Sequence, residues 1–132
     1  MKHSAYLDDI YHFHGQLAIA VGLNEAIVLR KLHSWIQFNT QRGVNLRVDE
    51  NGVWRVWSFQ TLAQWEAQLP FWSGVTIRRI FKNLKDLGVV IASDAFNDNR
   101  SDRTLWYTID YDVYDRIKIG RASCRERVLR LV

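Results

Sequence analysis

Apolar residues recur at intervals of three and four over two stretches of the chain, and these predict its two principal helices. From Asn24 onward, Val28, Leu29, Leu32, Trp35 and Ile36 share one face, while Glu25, Arg30, Lys31, Ser34 and Gln37 take the other. Asn24 reads as the N-cap, with Glu25 at the positive end of the helix dipole. This helix is expected to reach about Gln41 and stop at Arg42-Gly43. From Ser73 onward, Ile77, Ile80, Phe81, Leu84 and Leu87 form the second stripe, which Gly88 ends.

Shorter elements fill the rest. Gln16–Val21 reads as a short helix closed by Gly22. Around Val44–Ser58 the period shortens, and Asn51-Gly52 between Val44/Leu46/Val48 and Val53–Trp57 predicts a hairpin or a loop feeding a strand. Ser58 is expected to open a helix through Leu62 and Trp65 to about Gln68, broken at Leu69-Pro70 because proline disfavours helix before it and lacks an N–H. Three helix starts then share one arrangement, an apolar N′, a polar cap and an apolar N4: Leu23-Asn24-Val28, Trp57-Ser58-Leu62 and Trp72-Ser73-Ile77. Val89–Ala92 and Thr104–Tyr111 read as strands joined by the polar loop Ser93–Arg103.

Helix, strand, helix, tight turn, helix and hairpin is the order of a winged helix-turn-helix. The expected fold class is therefore α+β, mainly helical, with a small antiparallel β-hairpin as the wing. Opposite the apolar stripe of 75–87 lie Thr76, Arg78, Arg79, Lys82, Asn83 and Lys85, and the segment Ser73–Gly88 carries four basic residues against Asp86. A helix that reads DNA needs such a face. Ser73, Gly74, Thr76 and Arg79, near its start, are candidates for base edges, although Ser73 has its hydroxyl committed to the cap. Arg78, Lys82 and Lys85 suit phosphates. In the loop, Asn97, Asn99, Arg100 and Arg103 are candidates for the minor groove or backbone, with Asp94, Asp98 and Asp102 cancelling their charge.

Three pieces, NGVWRVWSFQTLAQW, QLPFWSGVTIRRIFKNLKDLGVVI and RTLWYTIDYD, together with Leu23–Asn39, resemble the N-terminal region of phage- and plasmid-type replication proteins of low-GC Gram-positive bacteria, the replisome-organiser and DnaD-like proteins. The PFWS…TIRR…L…LG run is the most specific part, and the resemblance extends to about Asp115. It implies a winged helix acting in replication initiation or replisome organisation, with duplex DNA and other replication proteins as partners. It places Thr76, Arg78, Arg79, Lys82 and Lys85 toward DNA. It also implies a polar linker and further chain beyond the YTIDYD strand.

The 132 residues carry 18 Lys and Arg against 14 Asp and Glu, a net charge of +4. Three of those charges sit in Ile119–Val132, where Arg121, Arg125, Arg127 and Arg130 face Glu126 alone. Residues 1–118 hold 14 basic and 13 acidic side chains, so net charge says little about partners and position says more. Ile119–Val128, IGRASCRERV, resembles the conceptual translation of a short-read sequencing adapter, and the native frame is expected to end near Lys118. The expected organisation is an N-terminal segment with a short helix (1–22), a winged-helix domain (23–115) and a non-native or disordered tail (116–132).

Other chemistry is thin. The length excludes a TIM barrel, and the single Cys, Cys124, excludes an internal disulfide framework or a multi-Cys zinc site. There is no phosphate-binding glycine loop, and Asp8-Asp9 and Asp110-x-Asp112 lack a partnering His. His3, His12 and His14 read as an ordinary polar segment, His33 as a packing residue, and Trp54, Trp57, Trp65 and Trp72 as core. The expectation is a non-enzymatic, cofactor-free cytoplasmic DNA-binding domain without membrane attachment, its oligomeric state unassigned. A transcriptional regulator of the same fold and a protein-binding winged helix are the alternatives.

Overall fold

The computed structural model describes residues 10–119 as five helices and two small antiparallel sheets. Helix α1 (Gly15–Val21) leads directly into the long helix α2 (Leu23–Arg42). A hairpin of β1 (Leu46–Val48) and β2 (Trp54–Val56) follows, then β3 (Ser58–Gln60), α3 (Leu62–Gln68) and α4 (Gly74–Asp86). Strands β4 (Val90–Ser93) and β5 (Leu105–Ile109) complete the second sheet, and the described chain ends in a helix, α5, over residues 111–119.

The long helix starts earlier than Asn24. Its cap is Gly22, at φ 109°, and the same residue closes α1: its N–H donates to the Ala18 carbonyl while its own carbonyl accepts from Ala26. Two helices joined by one residue require a backbone conformation that side-chain-bearing residues rarely adopt. The end of α2 falls at Gly43 as expected, where φ is 68° and the Gly43 and Val44 amides return to Thr40 and Asn39.

Ser58 does not open a helix. It lies buried in β3, opposite Tyr107, with Phe59 opposite Trp106 and Gln60 opposite Leu105. The cap is Thr61, whose hydroxyl accepts from the Gln64 amide at 3.2 Å while the Gln64 side chain accepts from the Thr61 amide at 2.8 Å. This reciprocal pair satisfies two helix-end donors, and no such pair is available to Ser58, which has Thr61 three residues on. The Ser73 cap of α4 is as expected, its Oγ accepting from the Thr76 amide at 3.2 Å.

Strand β5 is central in the order β3-β5-β4, both pairings antiparallel. It ends at Ile109, short of the expected Tyr111, because the Asp110 carboxylate accepts from the Asp112 and Val113 amides and starts α5. Tyr114 of α5 is buried in the core, and Val113 and Ile117 pack against it. Residues 116–119 therefore continue a helix across the expected domain boundary at 115. The remainder of the expected tail, with Cys124 and its arginines, lies outside the described residues.

The core gathers α2, α3, α4 and the inner face of the second sheet. Trp65 is its hub, fully buried, with its ring 4.8 Å from Trp35, 4.8 Å from Phe81 and 5.7 Å from Tyr107. Trp57 is also fully buried and donates from Nε1 to the Arg47 carbonyl at 3.2 Å. Trp72 packs on the rim of the core, whereas Trp54 is 65% exposed, against the expectation that it is core.

His33 ties α5 to α2. Its Nδ1 shares a 2.7 Å hydrogen bond with the Tyr111 hydroxyl, and its ring stacks on Tyr114. Burial, then the charges of Arg30 and Lys118, hold its pKa below the ordinary 6.5 against an opposing pull from Asp115. Burial also raises the pKa of both tyrosines, keeping their hydroxyls protonated. For a base whose folded pKa is depressed, the unfolded chain takes up the proton more readily. The stability this provides is complete above about pH 6.5 and is lost as pH falls below it. Between pH ~7 and ~5 the melting temperature should therefore fall more steeply for the unaltered chain than for His33→Gln. Parallel slopes would contradict the assignment.

Candidate nucleic-acid interface

Helix α4 turns one face in and the other out. Ile77, Ile80, Phe81 and Leu84 are buried, while Val75, Arg78, Arg79, Lys82 and Lys85 are exposed. The 3.6-residue repeat produces this division, and the Ser73 cap with the Leu69–Ser73 turn fixes where it begins. Lys82 pairs with Asp86 at 2.8 Å, an exposed contact one helical turn apart that leaves the ammonium in water. The three other basic side chains of this face make none of the ion pairs found among the described residues.

Two polar residues of the same helix are committed elsewhere. Thr76 is half-buried, its amide on the cap and its Oγ1 accepting from the Ser73 hydroxyl at 3.2 Å. Asn83 donates to Glu25 Oε2 at 3.0 Å, so it anchors α4 to the first turn of α2. Glu25 is itself buried, and this bond gives its carboxylate a partner. Gly74 has little room to spare, since a Cβ there would come within 2.7 Å of Glu66 Oε2. The α4 N-terminus thus already faces a carboxylate of its own chain.

The loop between β4 and β5 is more structural than its composition suggests. Asn97 is half-buried: its Oδ1 accepts from Trp106 Nε1 at 3.0 Å and its Nδ2 donates to the Thr104 carbonyl at 2.7 Å. Asn99 accepts from the amide and hydroxyl of Ser101 at 2.8 Å and 2.7 Å, which shapes the tip. Both asparagines therefore hold the loop. Arg100 and Arg103 are exposed, alongside Asp94, Asp98 and Asp102. Hydrogen bonds from Thr104 hold the Asp102 carboxyl below the usual range, so it remains anionic. Two cations against three anions leave the loop slightly acidic.

No family model, curated protein or solved structure matches the chain. Its own geometry brings Arg78, Arg79, Lys82 and Lys85 onto one helix and leaves Arg100 and Arg103 in an acidic loop. Among the described residues, no group of three or more His, Cys, Asp or Glu side chains is placed to hold a metal ion. No helix among them is long and apolar enough to cross a membrane.

Val75 carries no hydrogen-bonding side chain and was not among the expected site residues, yet it stands four residues before Arg79 and seven before Lys82 on the outward line. That spacing is visible in the sequence. A second exposed surface lies on the β1–β2 hairpin, where Val48 opposite Trp54, with Leu46 two residues along, presents apolar side chains on one face.

Proposed function

We propose that this chain is a winged helix-turn-helix DNA-binding domain in which α4 enters the major groove of duplex DNA. The observation that carries the reading is α4 itself. It follows α3 after a short turn, buries four apolar residues and holds Arg78, Arg79, Lys82 and Lys85 in water. The three-stranded sheet with β5 in the middle and the loop at 94–104 supports the same reading, with that loop as the wing. Arg78, Lys82 and Lys85 meet phosphates, and Arg79 reaches toward base edges. Arg100 and Arg103 contribute less, because the surrounding aspartates oppose the phosphate field.

The role in replication rests on the resemblance carried by Leu23–Asn39 and Gly52–Asp112. On that reading the domain acts in the cytoplasm, brings replication proteins to duplex DNA and performs no catalysis of its own. A protein-binding winged helix is the second reading, favoured by the exposed Leu46, Val48 and Trp54 of the hairpin. Binding of a random-sequence duplex by the chain and by Arg79→Ala/Lys82→Ala separates the two. Loss of affinity in the variant supports the DNA reading, and equal affinity rejects it.

A further inference from the structure

Val75 is 69% exposed, the highest value among the exposed large apolar residues of the described chain. It is the second residue of α4 and lies in line with Arg79 and Lys82, opposite the buried stripe. Its neighbours in the first turn offer little to a ligand. Ser73 is occupied by the cap, Gly74 is shielded by Glu66, and Thr76 is half-buried. The group that the first turn presents outward is therefore an isopropyl, with Arg79 and Lys82 following it along the same line.

A surface that only neutralised phosphates would gain nothing from an apolar group at its leading end. The major groove has one apolar feature, the C5 methyl of thymine, and side chains near the start of a recognition helix are those that reach base edges. We propose that Val75 packs on thymine methyl groups, so that the site read by α4 contains A·T pairs beneath the first turn. The guanidinium and ammonium groups of Arg78, Arg79 and Lys82 supply the charge complementarity that brings a duplex, rather than a neutral apolar peptide, to this residue. The inference rests on the DNA-binding reading of α4.

The test starts with selection of duplexes from a random-sequence pool by the full chain. The enriched duplex is then made with either thymine or deoxyuridine, which differ at this position only by the methyl. The unaltered chain should bind the deoxyuridine form about fourfold more weakly for each methyl contacted. Val75→Ala should bind the thymine form more weakly and no longer distinguish the two, while Val75→Thr, which keeps one methyl, should retain part of the difference. Equal binding of both forms by the unaltered chain overturns the inference, as does a full thymine preference in Val75→Ala. Salt-sensitive binding without enrichment of any sequence also overturns it. Absence of duplex binding even at low salt instead overturns the DNA reading itself.

Discussion

Replacing Arg79 and Lys82 together by alanine should weaken duplex binding at least about tenfold at low salt. It should also make the dependence of log affinity on log salt shallower by about one, for the phosphate contact of Lys82, while the loss of Arg79 should depend on sequence. A slope shallower by about two, with the same loss on every sequence, would place Arg79 on a phosphate instead of a base edge. Both side chains are exposed, so the fold should not change. The double substitution also removes the Lys82–Asp86 ion pair, and an exposed pair at this spacing contributes under about 0.5 kcal/mol. Melting curves of the variant and the unaltered chain should therefore nearly superimpose. A variant that melts normally and binds with unchanged affinity and slope would remove α4 from the interface.

Trp65→Ala should unfold the domain or bring it close to unfolding. The ring is fully buried where α2, α4 and β5 converge on α3, against Trp35, Phe81 and Tyr107. Truncating a buried Trp typically costs about 3–5 kcal/mol, through lost transfer energy and the cavity left behind. Small domains have only about 5–15 kcal/mol in total. Trp65→Phe should cost much less, because a ring remains at the hub. Urea titrations followed by circular dichroism measure both. An alanine variant as stable as the unaltered chain would mean that the three helices do not depend on this ring for their packing.

The helices that carry the candidate interface were legible because local chemistry decides them. Ser73, the stripe from Ile77 to Leu84 and Gly88 decide α4, and the structure places its ends where they indicate, although Leu87, expected in the same stripe, lies exposed at the C-cap. Strand β3 was harder to see. Three residues are too few for a period, and Ser58–Gln60 are strand because β5, some 50 residues later, pairs with them. The Thr61–Gln64 capping box was nevertheless in view and argues against a helix starting at Ser58. Helix α5 was hidden by the alternation that runs through β5 into Tyr111, although Asp110 followed by Tyr111, Tyr114 and Ile117 has helical spacing.

At the candidate interface, the exposed cations followed from periodicity alone. The commitments of Asn83 to Glu25 and of Asn97 to Trp106 did not, since each depends on a partner brought close only by folding. Trp54 departs in the opposite direction, as an apolar residue expected in the core that the structure leaves in water. Net charge was the least informative quantity. What bears on nucleic acid is the placement of Arg78, Arg79, Lys82 and Lys85 on one helix face.

Titration of isotopically labelled chain with a duplex, followed through its backbone amide shifts, tests that placement most directly. The expected result is a set of salt-sensitive shifts concentrated on α4 from Val75 to Lys82, with smaller changes at Arg100 and Arg103. Shifts confined to the β1–β2 hairpin, or no shifts at low salt, would contradict it.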